Sequence, residues 1–193
     1  MNNHVAINKL CKRLIGQEVP TNQNGKAGRY IENLIESWGL PINRGPGCDI
    51  EIFGLEIKSR DLDATSPQNV ATMTPEQVCA TPYCESLVHD KLQQQLRVFT
   101  QKLQIVDASV FDFSPAHIQD LISDAYERGR AIIADHIRHF GLEALPSYVY
   151  GSEWGYWERI CDTPSYTFRI HHGAYHRLED MARTTFTNFF EYA

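Results

Sequence analysis

The strongest constraint on this chain is a short segment in its first third, in which two acids and a lysine follow at fixed spacing. Asp49 is followed after six residues by Glu56, and Lys58 stands two residues further on. Gly54 marks a break between them, because glycine tolerates the positive φ of a tight turn. Residues 48–60 are therefore predicted to form two short strands joined at this break. Alternation along the second strand separates an apolar from a charged face, with Leu55 and Ile57 opposite Glu56, Lys58 and Arg60.

This spacing predicts that both carboxylates and the ammonium group converge at one end of a small sheet. Carboxylates a few Å apart repel each other, and a hard divalent cation with oxygen ligands relieves that repulsion. A lysine two residues after the second acid can orient a water or stabilise charge that develops on a phosphate. The pattern is the core of the PD-(D/E)XK nuclease signature. The same residues equally fit an ordinary amphipathic hairpin with a solvated charged face, because short motifs recur by chance.

Length and composition place the chain among ordinary globular proteins. Its 193 residues suit one domain, and 42% apolar and 22% charged residues are typical values. No charged N-terminal region precedes an apolar core, and no apolar run approaches the roughly 20 residues that cross a bilayer. Five irregularly spaced cysteines favour reduced thiols over a disulfide framework. We therefore expect a cytoplasmic protein without membrane association.

The charge of the chain argues modestly against a nucleic-acid partner. The net charge is −6, whereas proteins that bind nucleic acids usually present basic surfaces. The local balance differs, because Lys9 to Arg60 contains eight Lys or Arg against six Asp or Glu. Since global charge says little about one cleft, a basic cleft on an acidic body stays open.

Hydrophobic periodicity and breaker residues predict the other elements. Helices are expected over residues 5–15, 26–38, 85–92, 114–141 and 179–192. Strands are expected over 97–99, 103–106 and 166–170, with a turn at 100–102. Residues 61–82 are predicted to be a long irregular loop, of the kind that is usually functional or mobile. Ser114 is expected to cap the longest helix, with Pro115 at its first position.

The aromatic last quarter and its histidines favour structural roles. Aromatic residues at strand or helix spacing are more often core than base-stacking surfaces. The expected exceptions are Trp154 and Trp157, in and beside the glycine-bearing segment 150–155, which suits contacts with DNA. His171, His172 and His176 are expected to be polar loop residues rather than metal ligands.

Three segments, in this order, resemble a known family. Residues 24–32 read Asn-Gly-Lys-Ala-Gly-Arg-Tyr-Ile-Glu and resemble a Lys-Gly-x-x-Gly-x-x-x-Glu helix start. Residues 49–58 resemble an Asp-x6-Glu-x-Lys pair of catalytic strands, and 86–92 followed by 96–98 resemble a Ser…His-Lys-Leu segment before a strand. Together they resemble the MutH mismatch-repair nicking endonucleases and the related restriction enzymes that cut at GATC. Asn24 replaces the first lysine of the family pattern, and GATC specificity is not carried over.

The resemblance implies an α/β (α+β) fold of the restriction-endonuclease type. A mixed sheet would be flanked by helices, and two lobes would lie around a DNA cleft. Residues 1–193 would form a single MutH-like endonuclease domain. Its approximate lobes would be residues 1–45 with C-terminal helix elements, and residues 46–193 with the catalytic sheet and the long helix.

The resemblance also implies a Mg²⁺-dependent endodeoxyribonuclease in which Mn²⁺ substitutes. Asp49 and Glu56 would hold the metal, with the main-chain carbonyl of Ile57 as a further oxygen ligand. Lys58 would position or deprotonate the attacking water. Glu32 would act through a metal-bound water, and Lys91 would contact phosphate or support Lys58.

Double-stranded DNA is the expected partner, bound by a monomer or a transient dimer, and an activating protein is compatible with the family. The candidate DNA contacts are Lys26, Arg29, Arg60, Trp154 and Arg169. Cleavage is expected to be of nicking or restriction type, in repair or restriction. A branched-DNA or replication-linked nuclease of the same superfamily is the first alternative. A DNA-binding module without catalysis is the alternative from another class.

Overall fold

The computed structural model describes residues 3–20, 26–45, 47–161 and 163–190, apart from the side chains of Lys26 and of residues 183–190. The helices are α1 (Asn3–Leu14), α2 (Lys26–Ser37), α3 (Pro75–Ala80), α4 (Leu87–Lys91), α5 (Ala116–Phe140) and α6 (His172–Phe190). The strands are β1 (Glu56–Asp61), β2 (Gln68–Met73), β3 (Gln94–Gln101), β4 (Gln104–Asp112), β5 (Tyr148–Ser152), β6 (Gly155–Arg159) and β7 (Tyr166–Ile170). The predicted class is confirmed at this level: a mixed sheet with flanking helices in an α+β chain.

The chain divides into two compact units, and each draws on two stretches of sequence. The first consists of Met1–Ala64 and Gln93–Asp112, and the second of Thr65–Leu92 and Phe113–Ala193. The predicted lobes, 1–45 and 46–193, stay a prediction.

The first unit is built on a mixed three-stranded sheet. Its strand order is β1-β3-β4, with β1 parallel to β3 and β3 antiparallel to β4. The buried residues of α1, α2 and the strands form one hydrophobic cluster, including Leu10, Leu14, Ile31, Ile35, Leu55, Ile57, Leu96 and Val98. The predicted apolar stripe of α2 is thus the face that packs in the core. Both predicted N-terminal helices are confirmed, within two residues at each end.

A glycine sets how closely α2 approaches β1. A Cβ atom placed on Gly28 would lie 3.3 Å from Oγ of Ser59, which is a tight contact. Residues 28 and 32 are one helical turn apart and share a face. The close approach at Gly28 therefore brings the face of α2 that bears Glu32 toward the strand that begins with Glu56.

The first strand of the predicted hairpin does not form. Ile50 makes a single antiparallel bridge with Leu55, and Glu51–Phe53 between them form a 3-10 turn. The ladder does not continue outward from this pair, because the N–H of Ile57 donates to the Asp49 side chain and the carbonyl of Asp49 accepts from the N–H of Asn43. The predicted break is confirmed, because Gly54 closes the turn with φ +66°.

The turn between β3 and β4 lies further along than predicted. Lys102 and Leu103 have positive φ values of 50° and 66°, which are the conformations of a tight two-residue hairpin turn. The prediction of a turn at 100–102 was wrong because β3 continues to Gln101, with a register shift between Phe99 and Thr100. A bulge of this kind leaves no clear trace in the period-2 pattern.

The second unit packs a helix on an antiparallel sheet of order β2-β7-β6-β5. Tyr126 of α5 contacts Trp157 at a ring-centroid distance of 5.1 Å, and Trp157 contacts Phe168 at the same distance. Of the eight aromatic residues from Tyr148 onward whose side chains are described, five are buried, as predicted; Trp157 is one of them, so it belongs to the core and not to a DNA-contacting surface. The predicted strand 166–170 is confirmed as β7.

The prediction of an irregular loop over 61–82 was wrong, because β2 and α3 lie within it. Thr74-Pro75 begins α3: the Thr74 hydroxyl accepts from the N–H of Gln77, the Gln77 side chain accepts from the N–H of Thr74, and Pro75 occupies the first turn. Proline is favoured at that position because its missing N–H has no partner in a helix anyway.

The two long helices begin at other residues than predicted. Helix α5 begins at Ala116 with Pro115 at the N-cap, so the predicted Ser114 cap is wrong by one residue. Helix α6 begins at His172 rather than at Glu179, which places His172 and His176 in a helix and not in a loop. On α5, Ile133 is buried, whereas Ile132 and Phe140 are exposed.

In the described part of the chain, no helix is both long enough and apolar enough to cross a membrane.

The contact between β5 and α5 generates a stability test. A Cβ atom on Gly151 would overlap the carbonyl group of Ala125, and backbone atoms cannot move aside as a flexible side chain can. We expect Gly151→Ala to lower the free energy of unfolding by about 1–3 kcal/mol, measured by denaturant titration. Gly173→Ala is the matched control, because nothing lies within 4 Å of that position and alanine favours a helix. Equal stability of the two variants would contradict the packing described.

Candidate active site

Asp49 is fixed to the start of β1 by one hydrogen bond. Its Oδ2 atom accepts from the backbone N–H of Ile57 at 2.7 Å. Asp49 follows a loop and not a strand, so this bond, together with the Ile50–Leu55 bridge, holds its carboxylate beside β1. The structure thus brings Asp49 next to the strand that carries Glu56 and Lys58, as the sequence predicts, although Asp49 lies on a loop and not on the predicted strand.

Glu56 and Lys58 form a buried ion pair on β1. The distance between Nζ of Lys58 and Oε1 of Glu56 is 2.7 Å, and the two side chains are 16% and 3% exposed. Residues two apart on a strand share a face, which explains the contact. The alternative of a solvated charged face does not hold for Glu56, because its carboxylate is buried and has a charged partner.

Glu32 on α2 is the third carboxylate of this site. Burial raises the pKa of Glu32, and repulsion by the Asp49 carboxylate raises it further. The cations Arg29 and Arg44 oppose this change, while Glu56 adds a smaller repulsion. Arg29 lies on the next turn of α2, with Nη1 3.8 Å from Oε2 of Glu32. Asp49 and Glu56 are therefore both close enough to Glu32 to repel its carboxylate.

The donor set suits a hard divalent cation. Carboxylate and carbonyl oxygens are the ligands that Mg²⁺ prefers, and a dication would relieve the repulsion among the acids. In the described residues, no group of three or more His, Cys, Asp or Glu is arranged to hold a metal. The predicted metal ligands include only two carboxylates, those of Asp49 and Glu56, and the third ligand is the main-chain carbonyl of Ile57. Lys58 supplies the positive charge beside Glu56 in this conformation.

The sheet register adds two residues that the sequence analysis missed. Glu56 pairs with Gln95 and Lys58 with Arg97 across the parallel β1–β3 ladder, so all four side chains lie on one face. Gln95 and Arg97 are fully buried, and Nη1 of Arg97 donates to Oε1 of Gln95 at 3.3 Å. Register between distant segments cannot be read from one strand pattern; the available signal was the polar alternation at the start of β3.

The candidate DNA contacts of the first unit differ in exposure. Arg29 is 62% exposed. Arg60 is 9% exposed, and its Nη2 atom donates to the carbonyl of Ala64. The side chain of Lys26 lies outside the described residues, as do Asn24 and Gly25 of the same motif.

The remaining candidates belong to the second unit. Lys91 is the last residue of α4 and is half-buried. Trp154 lies in the turn between β5 and β6, where the guanidinium of Arg177 stacks 4.4 Å from its ring centroid. Arg169 on β7 forms an ion pair with Glu158 at 2.8 Å. A guanidinium on an indole face is a favourable contact.

The charges divide unevenly between the units. The first unit contains ten Lys or Arg and ten Asp or Glu, whereas the second contains eight and fourteen. The whole net charge of −6 thus lies in the second unit. The unit that contains Asp49, Glu56 and Lys58 is electrically neutral overall, so the acidity of the chain is no argument against an anionic substrate there.

The three acids generate a prediction for stability against pH. Because the pKa of Glu32 is raised in the folded protein, the folded state binds more protons than the unfolded state between the two pKa values. Stability contributed by protonated Glu32 is present at low pH and falls as the pH rises through the folded pKa. Without divalent metal, Glu32→Gln should therefore melt at a higher temperature than the wild type at pH 7, and the difference should shrink toward pH 4.

Melting temperatures from pH 4 to pH 8 in a chelator test this expectation. Glu51→Gln, which removes an exposed carboxylate from the neighbouring turn, is the control. Parallel curves for wild type and Glu32→Gln would show that the pKa of Glu32 is not raised in the folded protein.

In comparisons with known proteins, no family model and no curated protein sequence matches the chain.

Proposed function

We propose that the protein is a Mg²⁺-dependent endodeoxyribonuclease of the PD-(D/E)XK type that hydrolyses phosphodiester bonds in double-stranded DNA. The observation that carries the proposal is the joint placement of Asp49, Glu56 and Lys58. The Asp49–Ile57 hydrogen bond and the Glu56–Lys58 ion pair, each 2.7 Å long, put two acids and one lysine at the start of β1. A metal-dependent hydrolase of phosphodiesters needs these groups at one place.

Each side chain has a separate task in the proposed reaction. Asp49 and Glu56, with the carbonyl of Ile57, would hold the cation. Bound there, Mg²⁺ would supply Lewis-acid stabilisation of the negative charge that accumulates on the phosphate. Lys58 would leave its ion pair with Glu56 and orient the attacking water in line with the bond that breaks. Glu32 would hold a water in the site from the side of α2.

The fold supports the proposal through the burial of the reacting groups. Glu56 is almost completely buried and Lys58 largely so, and electrostatic interactions are stronger in such a site than in water. Lys91 is proposed to contact phosphate, and Arg29 the DNA backbone.

We propose that cleavage is selective for sequence or structure and of nicking or restriction type.

The cysteines support a cytoplasmic location. All five cysteines, which lie within the described residues, are free thiols. Free thiols suit the reducing cytoplasm.

Nicking of supercoiled DNA tests the proposal. Asp49→Asn should prevent binding of the cation, and Lys58→Met should remove the group that orients the water. We expect each substitution to slow nicking in Mg²⁺ by at least about a hundredfold. The matched controls are Glu51→Gln and Lys12→Met, which remove exposed charges from the same unit. Wild-type rates in both site variants would exclude the proposed catalytic residues.

Metal binding provides a test that does not depend on the DNA substrate. A ligand that binds only the folded state raises the melting temperature. We expect Mg²⁺ and Mn²⁺ to stabilise the wild type and to have no effect on Asp49→Asn. A metal response that survives this substitution would place the cation elsewhere.

A further inference from the structure

The loop that carries Asp49 is closed on itself. The backbone N–H of Asn43 donates to the carbonyl of Asp49 at 2.8 Å, and the Asn43 side chain accepts from the N–H of Gly45 at 2.8 Å. Arg44 lies at the start of this closed loop, next to the residue that bonds Asp49. Arg44 is therefore connected to the backbone of Asp49 through one peptide unit and the hydrogen bond from Asn43.

Arg44 connects this loop to helix α2 through hydrogen bonds to Glu36 and Asn33. Its Nη2 and Nη1 atoms contact Oε2 and Oε1 of Glu36 at 2.8 and 3.3 Å, and Nη2 also donates to Oδ1 of Asn33 at 2.9 Å. A forked guanidinium–carboxylate pair fixes orientation as well as distance. Glu36 lies one helical turn beyond Glu32, so the bridge joins the segment that carries Asp49 to the helix that carries Glu32.

Stability alone does not account for so specific an arrangement. The side chains of Arg44 and Glu36 are 39% and 43% exposed, and exposed ion pairs contribute little to the free energy of folding. The bridge does join two elements whose carboxylates repel each other, since the pKa of Glu32 is raised first by burial and then by the Asp49 carboxylate. That repulsion favours separation of the loop from α2, and the Arg44–Glu36 bridge opposes it.

We propose that Arg44 is a positioning residue: its bridge to Glu36 holds Asp49 at the spacing from Glu32 at which the site accepts a divalent cation. The inference rests on the proposed function, since it concerns the same metal site. Residues that orient metal ligands without touching the metal commonly change metal affinity by tenfold or more when they are replaced. Arg44 and Glu36 would act in this way, through the loop and the helix.

The test measures Mg²⁺ affinity without DNA, from the dependence of the melting temperature on metal concentration. Each variant is compared with its own metal-free state, so a general loss of stability does not enter. We expect the apparent Kd for Mg²⁺ to rise roughly tenfold in Arg44→Gln and in Glu36→Gln. Arg44→Lys should behave like Arg44→Gln, because an ammonium group cannot span both carboxylate oxygens. The double variant should be no weaker than either single one.

The Glu36→Gln variant separates geometry from charge. It keeps the Arg44 cation near Glu32 but removes the carboxylate that fixes it. Arg128→Gln is the control, because it breaks an exposed Arg–Asp pair of 2.8 Å on α5 and should leave the Mg²⁺ affinity unchanged. As a second readout, the Mg²⁺ concentration for half-maximal nicking should rise by the same factor as the apparent Kd.

Three results would overturn the inference. Wild-type affinity in both Arg44→Gln and Glu36→Gln would show that the bridge has no role at a metal site that does exist. Weaker binding in Arg44→Gln alone would assign the effect to charge and not to position. A wild-type protein that neither responds to Mg²⁺ nor nicks DNA would remove the proposed function itself, and this inference with it.

Discussion

The site depends on the hydrogen bond from the N–H of Ile57 to Asp49. It joins a carboxylate on a loop to the first residues of a strand, although the strand expected to carry Asp49 is absent. Every other feature of the site takes its position from the same end of β1: the ion pair of Glu56 with Lys58, the approach of α2 at Gly28, and the parallel neighbours on β3. The N–H of Ile57 thus holds the Asp49 carboxylate beside Glu56 and Lys58.

The folded first unit tolerates repulsion at this point because its core is strong elsewhere. Carboxylates on α2, on the loop and on β1 lie close enough to shift a pKa, and one of them is almost completely buried. Leucine and isoleucine side chains from both helices and all three strands pack into one cluster on the other side of β1. Local electrostatic cost combined with a consistent hydrophobic core is the pattern expected where a protein keeps a site for a ligand.

The sequence predicted the features that depend on nearby residues. Both N-terminal helices, the break at Gly54 and the spacing of Asp49, Glu56 and Lys58 follow from local periodicity and short motifs. Features that depend on distant segments could not be predicted. The pairing of Glu56 with Gln95 needs the register of β1 and β3, and the bridge from Arg44 to Glu36 joins a loop to a helix eight residues away. Thr74-Pro75 is a third case, in which local sequence is ambiguous: the same dipeptide occurs in irregular loops and at the start of a helix, as it does here.

The division of the first unit into two stretches of sequence has a consequence for how the protein forms. Strand β1 ends at Asp61, but its parallel neighbour β3 begins only at Gln94, after β2, α3 and α4 have been synthesised. During translation, Glu56 and Lys58 therefore lie on a strand whose edge is open until the later segment arrives. Contacts of such sequence separation form slowly and leave strand edges exposed to misassembly. Strand β1 is thus made before β2, α3 and α4 but acquires its partner strand only after them.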